Sequence, residues 1–274
     1  MLSKIISFAS HAALAAVAVV ALACGSARAQ STSPREEQIR RAGEIRICFW
    51  PAYFAISYRN QRTGALEGID IDMAAAFAAD LGVRARFVDS SFVVFMDDLD
   101  GDRCDVAMFA VGTTPQRKER VAFSAPYLRS GVYAVTTKEQ RRIKDWTDID
   151  RKGVVVAVQA GTFMEPLMRD QLKAATLKVV ALPQTREAEI ESGRADVFMS
   201  DYPYTRLMIR THDWARIIEP AQPFAPTDYA YAVKKGDEAW LARVNAFVTT
   251  IKKDGRLAKA AQKYDLTPIV VTQP

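Results

Sequence analysis

Apolar and polar positions along this chain follow two alternating rhythms. Short β-branched runs are separated by stretches with helical spacing, the pattern of successive βαβ units. Glu44–Phe49, Ala85–Val88 and Val106–Phe109 predict strands. Ile69–Leu81 predicts a helix, with apolar residues at Ile71, Ala74, Phe77, Ala78 and Leu81 and a stop at Gly82. Phe92–Leu99 predicts another. The second half repeats the pattern. Strands are expected at Val154–Val158, Lys178–Ala181 and Val197–Ser200, and helices at Met164–Lys173, Arg186–Ser192 and Tyr202–Thr211. Asp237–Lys253 and Leu257–Tyr264 predict two closing helices. Gly131–Val135 and Asp228–Val233 share a Tyr-Ala-Val pattern, and each joins one βαβ block to the other. The expected fold class is α/β, with two lobes, each a mixed sheet flanked by helices, joined by hinge strands near 131–137 and 228–233.

Composition narrows the chemistry. Of 274 residues, 49% are hydrophobic and 25% charged, an ordinary globular balance that excludes a disordered or collagen-like chain. There are two histidines, His11 and His212, too few for a His-rich metal centre and poor material for a Ser-His-Asp site. No P-loop or G-x-G-x-x-G string is present. No metal or cofactor is expected.

The start of the chain looks like an address. Lys4 precedes an apolar run from Ala12 to Ala23, and Ala27-Arg28-Ala29 forms an A-x-A site. This predicts a signal peptide over 1–29, cleaved after Ala29, and a periplasmic product. Residues 30–42 are polar and are expected to be a flexible lead-in. Cleavage removes two cations, Lys4 and Arg28, and no acid, so the formal charge falls from +5 to +3. So small a charge argues against a nucleic-acid partner. Cleavage also removes Cys24. Cys48 and Cys104 remain, and in an oxidising compartment they are expected to pair.

In open α/β sheets, ligands bind beyond the carboxyl ends of strands. Arg117 follows one such end and offers a planar fork for a carboxylate. Backbone amides at Gly112, Thr114 and Thr162 could add donors. Asp201 follows another strand end and offers a carboxylate for a cation, although by itself it is equally an N-cap. An arginine and an aspartate facing each other across a cleft suit an α-amino acid.

Five motifs in order resemble those of the family-3 extracellular solute-binding proteins, type II periplasmic binding proteins that serve polar amino acid ABC transporters. They are Gly68-Ile69-Asp70-Ile71-Asp72-Met73, Thr114-Pro115-Gln116-Arg117 with Phe123-Ser124-Ala125-Pro126-Tyr127, Val158-Gln159-Ala160-Gly161-Thr162, Ser192–Val197 with Asp201, and Lys253-Asp254-Gly255 with Tyr264. The resemblance spans nearly all of the exported chain. It implies a two-lobed binding fold, with lobe 1 at 43–133 plus 231–274 and lobe 2 at 134–230. It implies that Arg117 holds the ligand carboxylate with Gly112 and Thr114, that Thr162 adds a donor, and that Asp201 takes the ammonium. Phe92 and a first-loop aromatic, Tyr53 or Phe54, would sandwich the ligand side chain. The implied partners are a small amino acid-like ligand and an inner-membrane permease, with the protein acting as a monomer. The loop between Cys48 and Tyr58 carries no acid, which argues against a Lys, Arg or His ligand. Trp50, Tyr53, Phe54 and Phe163 make the expected pocket aromatic.

The chain also resembles periplasmic cyclohexadienyl (arogenate/prephenate) dehydratases of the same fold. Those enzymes use a carboxylic acid three residues after the position of Asp201; here it is Tyr204. A phenol with a pKa near 10 is a poor general acid at neutral pH. A third resemblance, through the cysteine pair, is to accessory proteins of quinoprotein alcohol dehydrogenases. Those generally lack the T-x-x-R and F-S-x-P-Y strings that are intact here. Capture of a ligand without turnover is therefore the expected activity.

Overall fold

The computed structural model describes residues 33–272. The expected signal peptide and its cleavage site lie outside the described residues. The expected lead-in differs from what is found, because most of it is helical. Helix α1 (Pro34–Ala42) starts at Ser33, whose hydroxyl accepts from the Glu36 amide, and ends at Gly43 in the left-handed conformation. Pro34 at the first position and Glu36 and Glu37 in the first turn favour that start. A single deeply buried apolar residue, Ile39, fixes the helix to the core.

After α1 come β1 (Glu44–Phe49) and a small antiparallel sheet of β2 (Ala52–Tyr53), β3 (Ser57–Arg59) and β4 (Leu66–Glu67). Then follow α2 (Ile69–Leu81), β5 (Arg84–Asp89), α3 (Phe95–Asp100), β6 (Val106–Gly112), α4 (Pro115–Arg120), β7 (Val121–Phe123) and β8 (Leu128–Ser130). The middle of the chain forms β9 (Val132–Thr137), β10 (Val155–Gln159), α5 (Met164–Gln171), β11 (Thr176–Val180), α6 (Arg186–Glu191), β12 (Val197–Asp201), α7 (Tyr202–Thr211) and β13 (Ala215–Ile218). It closes with β14 (Thr227–Lys234), α8 (Glu238–Lys253) and α9 (Arg256–Lys263).

The strands form two mixed sheets of related design. The first has the order β5-β1-β6-β14-β7, with β8 also on β14. The second has the order β11-β10-β12-β9-β13. In each, three parallel strands are followed by one that runs antiparallel. The chain leaves the first sheet between Ser130 and Val132 and returns between Ile218 and Thr227. This is the two-lobed α/β architecture expected from the sequence.

The first sheet carries the larger core. All seven residues of β6 are buried, as befits a central strand covered on both faces. Phe77 of α2 packs against Phe247 at 4.5 Å and Trp240 at 5.6 Å between ring centres, both from α8. Cys48 and Cys104 form a disulfide with a Cα separation of 5.5 Å. It joins β1 to the residue two before its parallel neighbour β6. In the chain-entropy view, closing a loop of 56 residues is worth about 4 kcal/mol.

Asp70, at the start of α2, lies fully buried beneath this sheet. Its Oδ2 accepts from the Ala110 amide at 2.8 Å and the Tyr127 hydroxyl at 2.5 Å, and Oδ1 accepts from Tyr231 at 3.3 Å. Burial outweighs these bonds and pushes the carboxyl up to about 7. An acid whose folded pKa lies above its unfolded value favours the protonated fold. Its contribution is complete below about pH 4 and is lost as pH rises through about 7. Asp70→Asn keeps an acceptor for Ala110 and Tyr127 but cannot ionise. It is expected to flatten the fall in thermal midpoint between pH 4 and 7, gaining stability relative to wild type as pH rises. Parallel curves for the two proteins would refute this.

Candidate functional site

Four parallel strands aim their carboxyl ends at the space between the sheets. β1 delivers Trp50 and Tyr53, β6 delivers Gly112 and Thr114, β10 delivers Gly161 and Thr162, and β12 ends in Asp201. The cavity there is lined by Trp50, Tyr53 and Phe92 from the first half and Thr162, Phe163 and Asp201 from the second, with Arg186, Ser200, Tyr204 and Tyr229 among the remainder. Its volume is about 30 Å³. The two halves are closed on each other.

Asp201 is the hub. Its Oδ1 caps α7 through the Tyr204 amide at 3.3 Å. Its Oδ2 accepts from the Tyr229 hydroxyl at 2.8 Å and also from Tyr53. Tyr53 and Tyr229 belong to the first sheet's half and Asp201 to the second sheet, so the carboxylate ties the halves together. Burial raises the Asp201 pKa, and the two phenols and the amide oppose that. Burial, followed by the charge of Asp201, holds both Tyr53 and Tyr229 well above their ordinary value. The phenols therefore stay protonated and donate.

Arg117 is 5% exposed. Its Nη1 donates to the Gly112 carbonyl at 2.9 Å, within its own half, and Nη2 donates to the Gly161 carbonyl at 2.9 Å, across the cleft. Its guanidinium lies 5.4 Å from the centre of the Phe92 ring and 5.5 Å from that of Phe95. Burial lowers its pKa to about 10, so it remains charged at neutral pH. Among the described residues no carboxylate forms an ion pair with it.

The expected site residues separate into three groups. Asp201, Thr162, Phe92 and Tyr53 line the cavity. Arg117 and Gly112 stand beside it, bonded to each other, and the Thr114 hydroxyl caps α4 by accepting from the Arg117 amide. Phe54 points elsewhere: it packs on Tyr58 at 5.8 Å and lines a separate pocket with Arg210 and Tyr264. The aromatic wall is continuous, with Trp50, Tyr53 and Phe92 in mutual contact at 5.2 to 5.9 Å. Sequence reasoning did not single out Arg186, Ser200, Tyr229 or Met164 for the site. The strand-end rule, applied to β11 as well, would have pointed to Arg186 at the start of the next helix.

Comparison with known proteins places this geometry. The family model for bacterial extracellular solute-binding proteins, family 3, matches residues 45–267. A cyclohexadienyl dehydratase of Pseudomonas aeruginosa is 32% identical over 90% of this chain and 93% of its own length. An L-cystine-binding protein of Escherichia coli is 27% identical over 92% of this chain and 94% of its own. A solved ancestral amino acid-binding protein, described as a precursor of cyclohexadienyl dehydratase, superposes with a TM-score of 0.76 at 29% identity, over 84% of this chain and 98% of that one.

The closed arrangement needs a bare backbone at Gly161. Its φ is +75°, and a Cβ there would come within 2.7 Å of Val93 Cγ2 and 2.9 Å of Val93 N on the opposing half. Gly161→Ala is expected to hold the halves apart. Small-angle scattering should give a larger radius of gyration than wild type, and affinity for any ligand held by both halves should fall at least tenfold, since Ala at positive φ is also strained. A wild-type radius and affinity would refute it.

Proposed function

The chain belongs to the bacterial extracellular solute-binding proteins, family 3, and from that premise we propose that it captures a small amino acid-like ligand between its lobes and delivers it to an inner-membrane ABC permease. It does so as a periplasmic monomer, after removal of residues 1–29. The lobes divide where the chain changes sheet, at 131 and between 218 and 227. The observation that carries this reading is the pairing of buried, opposite charges around one cleft, Arg117 from the first half and Asp201 from the second.

In this reading, ligand binding is an exchange of partners. Tyr53 on Asp201 and Arg117 on the Gly161 carbonyl bridge the cleft, so entry requires the lobes to part. An incoming ammonium takes the place of a tyrosine hydroxyl on Asp201. An incoming carboxylate takes the fork of Arg117 in place of the Gly161 carbonyl, with the Gly112 and Thr114 region and Thr162 adding donors. Phe92 and Tyr53 hold the side chain, and Phe54 plays no part. The ligand favours closure only through contacts that it makes with both lobes at once.

The dehydratase relative supports a second reading, catalysis in the same cleft. Two features favour capture instead. Tyr204 has its pKa pushed up to about 12 by burial, so it is a weaker acid than a free phenol. Asp201 is the one carboxylate among the cavity-lining residues and is already engaged by two phenols and an amide.

A thermal-shift screen of amino acids against the exported chain tests the proposal, because a ligand that binds only the fold raises its apparent stability. At least one α-amino acid is expected to raise the midpoint, and prephenate or arogenate is expected to survive incubation unchanged. Steady dehydration of either compound would overturn the capture reading.

The two charge assignments can be tested separately. Arg117→Ala should cost about 2–5 kcal/mol in affinity, the range for breaking a buried charged contact. Asp201→Asn should weaken amino acids far more than their deaminated analogues, as read by calorimetry. Equal losses for both would remove the ammonium from Asp201.

A further inference from the structure

Arg186 is a buried cation that the amino-acid grip leaves unused. It opens α6, is 4% exposed and lines the cavity beside Ser200 and Asp201. Its Nη1 donates to the Met199 carbonyl at 2.8 Å and reaches Ser200 Oγ at 3.4 Å. Its guanidinium carbon sits 4.4 Å from the ring centre of Tyr204 and 4.9 Å from that of Phe198. Its Nε is buried and has no hydrogen-bond partner. The adjacent Glu187 does not supply one, since its own buried Oε1 is also without a partner. Among the described residues no carboxylate forms an ion pair with Arg186. Two aromatic rings and a backbone carbonyl fix the guanidinium in place, and the Asp201 charge acts on it without making an ion pair. A buried charge left in that state is costly unless something completes it.

The guanidinium's unmet donors say what would complete it. Asp201 lines the cavity and Glu187 meets Tyr204, yet among the described residues neither forms an ion pair with Arg186. Its direct acceptors are the Met199 carbonyl and the Ser200 hydroxyl, both uncharged. A zwitterion with a neutral side chain brings it no charged partner. An amino acid with a second acid group brings a carboxylate that can meet it. The Nη1 bond to Met199 orients the fork and leaves donors for an acceptor brought into the cavity, and a carboxylate matches that fork in shape.

We propose that Arg186 is a specificity-determining residue that receives the distal carboxylate of the ligand, so that this site selects α-amino acids carrying a second acid group. The inference rests on the reading of the cleft as an amino-acid site. It assigns three charged groups of one ligand to three residues: Arg117 and Asp201 to the α-carboxylate and α-ammonium, and Arg186 to the far end.

Calorimetry on the exported chain with L-aspartate, L-glutamate and L-2-aminoadipate, each beside L-asparagine or L-glutamine, tests this. The best acid is expected to bind at least thirtyfold tighter than the amides, about 2 kcal/mol. Arg186→Gln should weaken that acid at least thirtyfold and the amides less than threefold, erasing the preference. Arg186→Lys, which keeps the charge but not the fork, should fall between. Circular dichroism and the thermal midpoint establish that each variant is folded. If Arg186→Gln does not fold, the wild-type preference decides: amides bound as well as acids overturn the proposal. In a folded variant, equal losses for acids and amides overturn it too. Either result leaves the amino-acid site standing. If no α-amino acid binds the wild-type protein at all, the site reading itself fails, and the role of Arg186 fails with it.

Discussion

A carboxylate sealed between two sheets must be satisfied from both sides, and Asp201 is that group. Its own helix satisfies Oδ1 through the Tyr204 amide. Only the opposite half satisfies Oδ2, through Tyr53 and Tyr229. Closing the cleft without those hydroxyls would bury an ionised group with an empty lone pair, at a cost of several kcal/mol. Opening it hands the same lone pair to water at little cost. The balance between open and closed therefore depends on what meets Oδ2, and any cation that can meet it shifts that balance.

Arg117 repeats this logic with the opposite sign. One arm of its fork is held by Gly112 in its own half and the other by Gly161 across the cleft. Each crossing bond is to a group that water could replace, so neither locks the closed state. The covalent and apolar rigidity lies elsewhere. The disulfide and the Phe77, Trp240 and Phe247 cluster stiffen the first half, and the second sheet has its own smaller cores. Two stiff bodies that meet through exchangeable polar contacts are suited to closing around a guest.

Much of this was legible in the sequence because strand ends in open sheets face the ligand. That rule led to Arg117, Thr162 and Asp201 from the positions of β6, β10 and β12 alone. It left Tyr53 and Phe54 unresolved, since adjacent residues in extended chain face opposite ways and β2 is too short to show a period. Helix α1 was hidden by its polarity: one buried isoleucine is too little for a periodic signal, and the caps Ser33 and Gly43 were the better clue. Arg186 was hidden because a cation at the start of a short, charged helix looks solvated, and only packing shows that it is not.

The likeness to both binding proteins and a dehydratase follows from how little separates the two chemistries in such a cleft. Both need a small molecule gripped by buried charges in a closed, water-poor space, where electrostatic contacts are strong. Catalysis of an elimination adds one requirement, a proton held ready beside the leaving group. Asp201 is already engaged by two phenols and an amide. Tyr204 holds its proton too tightly, because burial raises its pKa to about 12. If the cleft captures without turnover, as proposed, a change to catalysis would need no new fold and no new grip. It would need a carboxylic acid where the Tyr204 phenol stands, and some answer to the charge of Arg186 lying against that ring.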